Sequence, residues 1–168
     1  MSFSRLIIAY SFCLTLLLAL SSPASAVVNG KPAPPINVVT TSGQKVTLNN
    51  YKGYVLVMDF FATWCQPCRE AVSHLVALNR KYGKQGLQIL GMSVDDEGTE
   101  VVKEFIADRR INYPVTTVGE DIIDEYGVRS IPTLFIINKK GVVVERYMGF
   151  SEDTANAMEA TIRKLLAE

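Results

Sequence analysis

The 168-residue sequence contains little cysteine, histidine or tryptophan and has no excess of charge of either sign. There are 3 cysteines, 1 histidine and 1 tryptophan, and 17 basic residues balance 17 acidic ones. Without a basic stripe, nothing indicates nucleic-acid binding. So few cysteines exclude a scaffold held together by several disulfides. The single histidine, His74, also leaves any site built on a cysteine pair short of the four ligands that zinc usually takes.

Long apolar runs are missing except at the N-terminus, where residues 1–26 have the pattern of an export signal. Arg5 gives a positive start, residues 6–20 are apolar, and Ala24-Ser25-Ala26 offers small residues for cleavage after Ala26. The run is shorter than the roughly 20 residues of a spanning helix. We therefore predict a signal peptide, with an uncleaved membrane anchor as the alternative. The protein is expected to be periplasmic or otherwise extracytoplasmic, and soluble after cleavage.

The remaining residues, 27–168, are enough for one domain and too few for two. Hydrophobic periodicity and turn signals predict strands at 36–40, 45–48, 54–61, 87–94, 133–138 and 142–148, and helices at 69–82, 100–110, 121–126 and 151–167. Thr99 and Ser151 are the expected N-caps of the second and last helices. Alternating strands and helices imply parallel crossovers, whereas Asn138-Lys139-Lys140-Gly141 predicts an antiparallel hairpin. We expect an α/β fold with a central mixed sheet, helices on both of its faces and a short N-terminal hairpin.

The segment Trp64-Cys65-Gln66-Pro67-Cys68 carries the strongest chemical signal, because two cysteines separated by two residues can close a reversible disulfide. The pair lies between a predicted strand and the start of a predicted helix. A helix N-terminus favours thiolate over thiol. Cys65 is then the expected nucleophile, exposed at the helix start, and Cys68 the resolving cysteine one turn deeper. Half of a zinc site is the alternative, for which further ligands are lacking.

The neighbours of the cysteines suggest two further roles. Trp64 is either a contact for protein partners or a core aromatic, and contact is favoured because an amphipathic ring suits an interface. Pro67 fits the first turn of a helix.

Asp59 interrupts a strand that otherwise looks buried on both faces, so its pKa should be raised. It could accept the proton of Cys68, or it could be a structural aspartate paired with a lysine or a water.

Two motifs together make the chain similar to the thioredoxin superfamily. These are residues 61–69, around the cysteine pair, and Ser130-Ile131-Pro132-Thr133, with the hairpin at residues 138–141 after it. A cysteine pair of this spacing beside a βαβ pattern is typical of thioredoxin-like proteins. With the inserted strand and helix at 87–110, residues 36–166 resemble the exported TlpA/ResA-like thiol:disulfide oxidoreductases more closely.

The resemblance implies a thioredoxin-like fold in which a cis Ile131-Pro132 bond faces the disulfide and the Ile131 backbone pairs with an extended partner. Trp64, Gln66, Pro67, Ile131 and Pro132 become the expected partner-binding residues, and Asp59 matches the buried aspartate of thioredoxins. The chain departs from many relatives in having Ala71 and Ser73 where they carry Glu and Pro. Glu70 is one position early and should point about 100° away from the relatives' glutamate. Peroxiredoxins have a threonine where this chain has Ala62.

The expected function is extracytoplasmic thiol:disulfide exchange through Cys65 and Cys68, with the reductive direction favoured. Partners would be exported thiol or disulfide proteins, for example apocytochrome c, and a membrane thiol-electron transporter would supply electrons. No cofactor beyond the Cys65–Cys68 disulfide, no metal and no nucleic acid is expected. The alternatives are a disulfide-forming oxidant, or a thioredoxin-like binding module whose disulfide is inert. A monomer is expected, although the sequence leaves the oligomeric state open.

Overall fold

A computed structural model describes residues 27–168, and the predicted signal segment, including Cys13, lies outside the described residues. The strands are β1 (Asn37–Val39), β2 (Lys45–Thr47), β3 (Val55–Phe61), β4 (Leu87–Ser93), β5 (Val115–Thr117), β6 (Thr133–Ile137) and β7 (Val143–Met148). The helices are α1 (Gln66–Tyr82), α2 (Thr99–Arg109), α3 (Glu120–Glu125) and α4 (Glu152–Leu166). Single 3-10 turns cover Leu48–Tyr51 and Gly83–Gln85. Over residues 27–168, no helix is long and apolar enough to cross a membrane.

Five strands form one mixed sheet in the order β5-β4-β3-β6-β7. The β3, β4 and β5 strands run parallel, and β6 and β7 add as antiparallel neighbours. The predicted parallel pairing of the first two core strands and the antiparallel hairpin at 138–141 are therefore confirmed. With a neighbour on each edge and packing on both faces, every residue of β3 is buried. The thioredoxin-like fold expected from the sequence is confirmed.

Alternate residues of β3 belong to two different cores. Val55, Val57 and Phe61 pack with α1, α2 and α4, whereas Leu56, Met58 and Phe60 face the opposite core. That second core is covered by α3, the 3-10 turn at Leu48–Tyr51 and the β1–β2 hairpin. By this alternation Asp59 is on the face of Val57 and Phe61. It therefore shares a layer with the two cysteines, which belong to the same core.

The N-terminal segments cover both edges of the sheet. The N–H of Gly30 donates to the Val143 carbonyl at 2.7 Å, and the N–H of Thr41 donates to the Val115 carbonyl at 2.8 Å. An uncovered strand edge would present unpaired backbone groups to other chains. The segment around Gly30 thus protects the edge of β7, and the N-terminal hairpin predicted from the sequence protects the edge of β5.

Three details differ from the sequence predictions. The α1 helix begins at Gln66, three residues earlier than predicted, because the sulfur of Cys65 acts as its N-cap. The N-cap of α2 is Gly98, so the prediction of Thr99 was wrong, whereas Ser151 caps α4 as predicted. The short strand β5 was not predicted, because Val115-Thr116-Thr117 is too brief to give a periodic signal.

Candidate active site

The cysteine pair lies at the start of α1, where the chain leaves β3. Cys65 and Cys68 form a disulfide with a Cα–Cα distance of 5.2 Å. The N–H of Cys68 donates to Cys65 Sγ at 3.2 Å, so the sulfur of Cys65 already accepts from the helix N-terminus. Such a donor favours the thiolate over the thiol once the disulfide is reduced. Spacing and local fold therefore agree on a sulfur placed for exchange.

Access to the two sulfurs differs less than the sequence suggested. Cys65 is 6% exposed and Cys68 is fully buried. Cys65 was expected to be exposed at the helix start. This expectation was wrong, because in the disulfide Cys65 packs against the core. Cys65 is still the more accessible of the two, and the order of attack inferred from sequence is compatible with this geometry.

The residues around the disulfide are exposed where partner contact was predicted. Trp64 is 65% exposed, and Gln66 and Pro67 are also exposed. The core-aromatic alternative for Trp64 is thereby excluded. Beside its ring, a shallow groove runs to α2 over Val101 and Phe105.

The Ile131-Pro132 bond is cis, as the resemblance implied. Pro132 is buried and its carbonyl accepts from the N–H of Gly149 at 2.8 Å, which ties the turn to the end of β7. Ile131 is half-buried and packs against the core that contains both cysteines. It precedes the first residue of β6, so its backbone lies outside the β6 ladder.

Asp59 is fully buried, and neither carboxylate oxygen has a hydrogen-bond partner within the described chain. Burial alone raises the pKa of Asp59 to about 8. The predicted rise in pKa is confirmed, and no lysine pairs with this carboxylate within residues 27–168. A carboxyl group with a pKa near neutrality can exchange a proton with a thiol at physiological pH.

A second aspartate, which the sequence reasoning missed, holds the loop before the cysteines. Asp95 is 4% exposed and accepts from the Thr63 N–H at 3.1 Å, the Thr63 hydroxyl at 2.7 Å and the Ser93 hydroxyl at 2.7 Å. Arg69 Nε and Nη2 donate to the Thr63 carbonyl at 3.1 and 3.0 Å. Thr63 is thus fixed on both sides, next to Trp64. The sequence did contain a signal for this role: Asp95 comes just after the buried strand β4, at the carboxyl end of the parallel strands.

The other ionisable residues near α1 are less involved. Glu70 is exposed, in agreement with the expectation that it does not replace the relatives' glutamate, and Ala71 is fully buried. His74 is half-buried and packs on Phe150 with ring centroids 5.8 Å apart, so it is less exposed than a surface histidine. Within residues 27–168, no group of three or more His, Cys, Asp or Glu side chains is arranged to hold a metal ion.

Comparison with known proteins identifies the family. A profile described as the AhpC/TSA family matches residues 29–146. The chain belongs to the AhpC/TSA family. Within it, a thiol-disulfide oxidoreductase ResA from Bacillus thuringiensis (strain Al Hakam) is 35% identical over 138 residues, which cover 81% of this chain and 78% of the relative.

Solved structures of thiol-disulfide exchange proteins have a similar fold. A protein of Chlorobium tepidum assigned as thiol:disulfide interchange protein DsbE has a TM-score of 0.79 at 28% identity, covering 84% of this chain and 99% of that one. A protein of Bacteroides thetaiotaomicron assigned as a protein disulfide isomerase has a TM-score of 0.78 at 25% identity, covering 84% of this chain and 92% of that one. With its CxxC disulfide, this AhpC/TSA member is a ResA/DsbE-like thiol-disulfide oxidoreductase. Exchange chemistry of this type implies thiol-containing protein partners.

Replacing Asp95 with alanine should destabilise the protein by about 2 to 4 kcal/mol, because the buried Thr63 N–H and two hydroxyls lose their acceptor. Urea denaturation of the oxidised protein measures the change. Asp96→Ala is the matched control, since Asp96 is exposed on the same loop and should alter the free energy of unfolding by less than about 0.5 kcal/mol. Equal effects of the two substitutions would contradict the role of Asp95.

Asp59 should make the oxidised protein less stable as the pH rises. The folded pKa of about 8 lies above the ordinary value of 3.8, so the folded state holds a proton that the unfolded state has lost. The free energy of unfolding should therefore fall by about 1.4 kcal/mol per pH unit between these two values. Asp59→Asn should remove this slope, whereas the exposed control Asp96→Asn should retain it. Parallel pH curves for the wild type and Asp59→Asn would refute the raised pKa.

Proposed function

We propose that the protein reduces disulfide bonds in exported proteins by dithiol–disulfide exchange through Cys65-Gln66-Pro67-Cys68. The observation that carries this proposal is the disulfide at the start of α1, with Cys65 Sγ accepting a helix N–H and Cys68 buried behind it. The similarity to ResA and DsbE supports the same chemistry. Residues 27–168 form the thioredoxin-like domain that performs it.

The first half of the reaction uses Cys65. In the reduced protein, the Cys65 thiolate attacks one sulfur of the partner's disulfide. The partner's S–S bond breaks, a mixed disulfide with Cys65 forms, and the other partner sulfur leaves as a thiolate that takes up a proton. The Cys68 N–H, which points at Cys65 Sγ, stabilises the attacking thiolate.

The second half releases the partner. Cys68 gives its thiol proton to the Asp59 carboxylate, and the Cys68 thiolate attacks Cys65 Sγ. The mixed disulfide breaks, the second partner sulfur leaves as a thiolate that takes up a proton, and the Cys65–Cys68 disulfide forms. Two electrons have then passed to the partner. A reductant, such as a membrane thiol-electron transporter, must restore the dithiol.

Residues on two sides of the disulfide are suited to hold a partner. We assign Trp64, Gln66 and Pro67 to one side of the contact and Ile131 with Pro132 to the other. Support comes from the exposure of Trp64 and from the position of Ile131 just outside β6, where its backbone can pair with an extended segment. Such strand-like pairing gives affinity with little demand on the partner's sequence.

The cellular setting is part of the same proposal. We infer that residues 1–26 direct export, so that the domain works in the periplasm or another extracytoplasmic compartment. Apocytochrome c is a candidate substrate because its cysteine pair must be reduced before use. A peroxidase reaction is disfavoured, since the position three residues before Cys65 is the buried Ala62, which has no hydroxyl.

Replacing Cys65 with serine should abolish reduction of insulin disulfides, because the attacking sulfur is lost. Replacing Cys68 with serine should instead trap mixed disulfides, since Cys65 can attack and nothing resolves the product. Non-reducing electrophoresis with a disulfide-bonded test protein separates the two results. Two results would contradict the mechanism. One is retained turnover in Cys65→Ser, and the other is a partner trapped on Cys68 in that same variant.

The reduction potential should distinguish a reductant from the alternatives, and equilibration with glutathione redox buffers measures it. A reductant of exported proteins should have a potential close to that of thioredoxin, about −270 mV. A value near about −120 mV would mean an oxidant. A disulfide that no physiological thiol reduces would contradict the proposal and favour the binding module.

A further inference from the structure

Asp59 and Tyr113, on the same face of the sheet, are among the buried residues whose polar atoms lack a hydrogen-bond partner within residues 27–168; His74 Nε2 on α1 is another such atom. Both carboxylate oxygens of Asp59 are in this situation, and so is the hydroxyl of Tyr113, whose side chain is 8% exposed. Buried polar groups are almost always paired, because an unpaired one loses its hydration without compensation. A donor and an acceptor left over in the same region are therefore natural partners for each other.

Gly91 brings the two groups together. Asp59 and Gly91 are register partners in the parallel β3–β4 pair, so a side chain at either position would point to the same face. A Cβ atom on Gly91 would lie 3.5 Å from Cε2 of Tyr113. Because Gly91 has no side chain, the edge of the Tyr113 ring can lie over β4, one strand away from Asp59.

The backbone fixes Tyr113 in this position. The N–H of Gly91 donates to the carbonyl of Pro114 at 2.9 Å, and Gly91 pairs with Val115 at the start of β5. A Cβ on Gly91 would also meet Val115 Cγ2 at 3.0 Å and Phe61 Cε1 at 3.2 Å, so the surroundings of the ring are tightly packed. The backbone on both sides of Gly91 thus sets the position of the Tyr113 ring.

Few other ionisable groups face Asp59. The neighbouring strands contribute Gly91 and Leu134 as its register partners, and α4 contributes Met158 and Ile162 to the same core. The buried titratable residues of this core are Cys65, Cys68, Tyr82 and Tyr113. The hydroxyl of Tyr82 already donates to Glu159 Oε1 at 2.6 Å. Burial, with a smaller contribution from the Asp59 charge, raises the pKa of Tyr113 well above its usual value. The phenol thus stays protonated and remains a donor.

We propose that Tyr113 is the positioning residue for Asp59: its hydroxyl donates a hydrogen bond, through one buried water, to the ionised carboxylate. This inference rests on the proposed function, in which Asp59 takes the proton of Cys68. The hydrogen bond favours the ionised, base-competent form of Asp59 before transfer. The proton then moves from Cys68 Sγ to a carboxylate oxygen, and Tyr113 keeps its own.

Tyr113→Phe tests the inference, because it removes only the hydroxyl. In the oxidised protein, the pKa of Asp59 should rise by about one unit, the size expected for losing a hydrogen bond to a charged group. A carbon-13 NMR titration of the Asp59 carboxyl, assigned with Asp59→Asn, measures it. Tyr51→Phe is the matched control, since Tyr51 is a buried tyrosine of the opposite core and its loss should leave this pKa unchanged.

A second variant separates the loss of the hydrogen bond from a general loosening of the core in the Tyr113→Phe protein. Site-specific 3-fluorotyrosine at position 113 keeps the ring and makes the hydroxyl a stronger donor, so the pKa of Asp59 should fall. An Asp59 pKa that responds to neither change would overturn the inference, even if insulin reduction depended on Asp59. Tyr113→Phe should also move the pH profile of mixed-disulfide release to higher pH. This shift should be absent when Asp59 has been replaced with asparagine.

The proposed function fails by a different result. If Asp59→Asn left the rate of mixed-disulfide release unchanged, Asp59 would not be the proton acceptor. The titration of the oxidised protein, in which no thiol is present at the site, would still decide the contact between Tyr113 and Asp59. The role of Asp59 as proton acceptor and its interaction with Tyr113 can therefore be refuted independently.

Discussion

The complete burial of β3 is the constraint on which the rest of the molecule depends. The strand has a paired neighbour on each edge and a core on each face, so its position leaves almost no freedom to the residues that come after it. The loop leaving its C-terminal end carries Thr63, Trp64 and the disulfide. The same burial forces Asp59 into an apolar layer and raises its pKa to about 8. Position and reactivity at the site thus have one origin.

The site itself is assembled from three short segments that this sheet holds at one edge. The helix start supplies an N–H to Cys65 Sγ, the Asp95 carboxylate and Arg69 fix the preceding turn, and the Ile131-Pro132 segment is tied to the end of β7. Each of these segments follows or precedes a strand of the central sheet, so its position is set by strand pairing.

Most of the fold and the central chemistry could be predicted from the sequence, because they depend on local pattern. The β3 and β4 strands are predominantly apolar, and Cys65 and Cys68 have a spacing with few chemical uses. The features that could not be predicted depend on distant contacts. The link from Asp95 to Thr63 spans 32 positions, and β5 is three residues long, so neither leaves a periodic signal. The interaction proposed between Tyr113 and Asp59 depends on Gly91 and on the strand register, which only the folded chain provides.

The small exposure of Cys65 has a consequence for the selectivity of the proposed exchange reaction. Only 6% of this residue is open to solvent in the oxidised protein, so few of the orientations in which a small thiol arrives lead to the sulfur. A polypeptide held along Ile131, as proposed above, would approach at one angle. Under that proposal, geometry at the encounter would govern partner choice, and Cys65 would exchange faster with a bound protein than with a small metabolite.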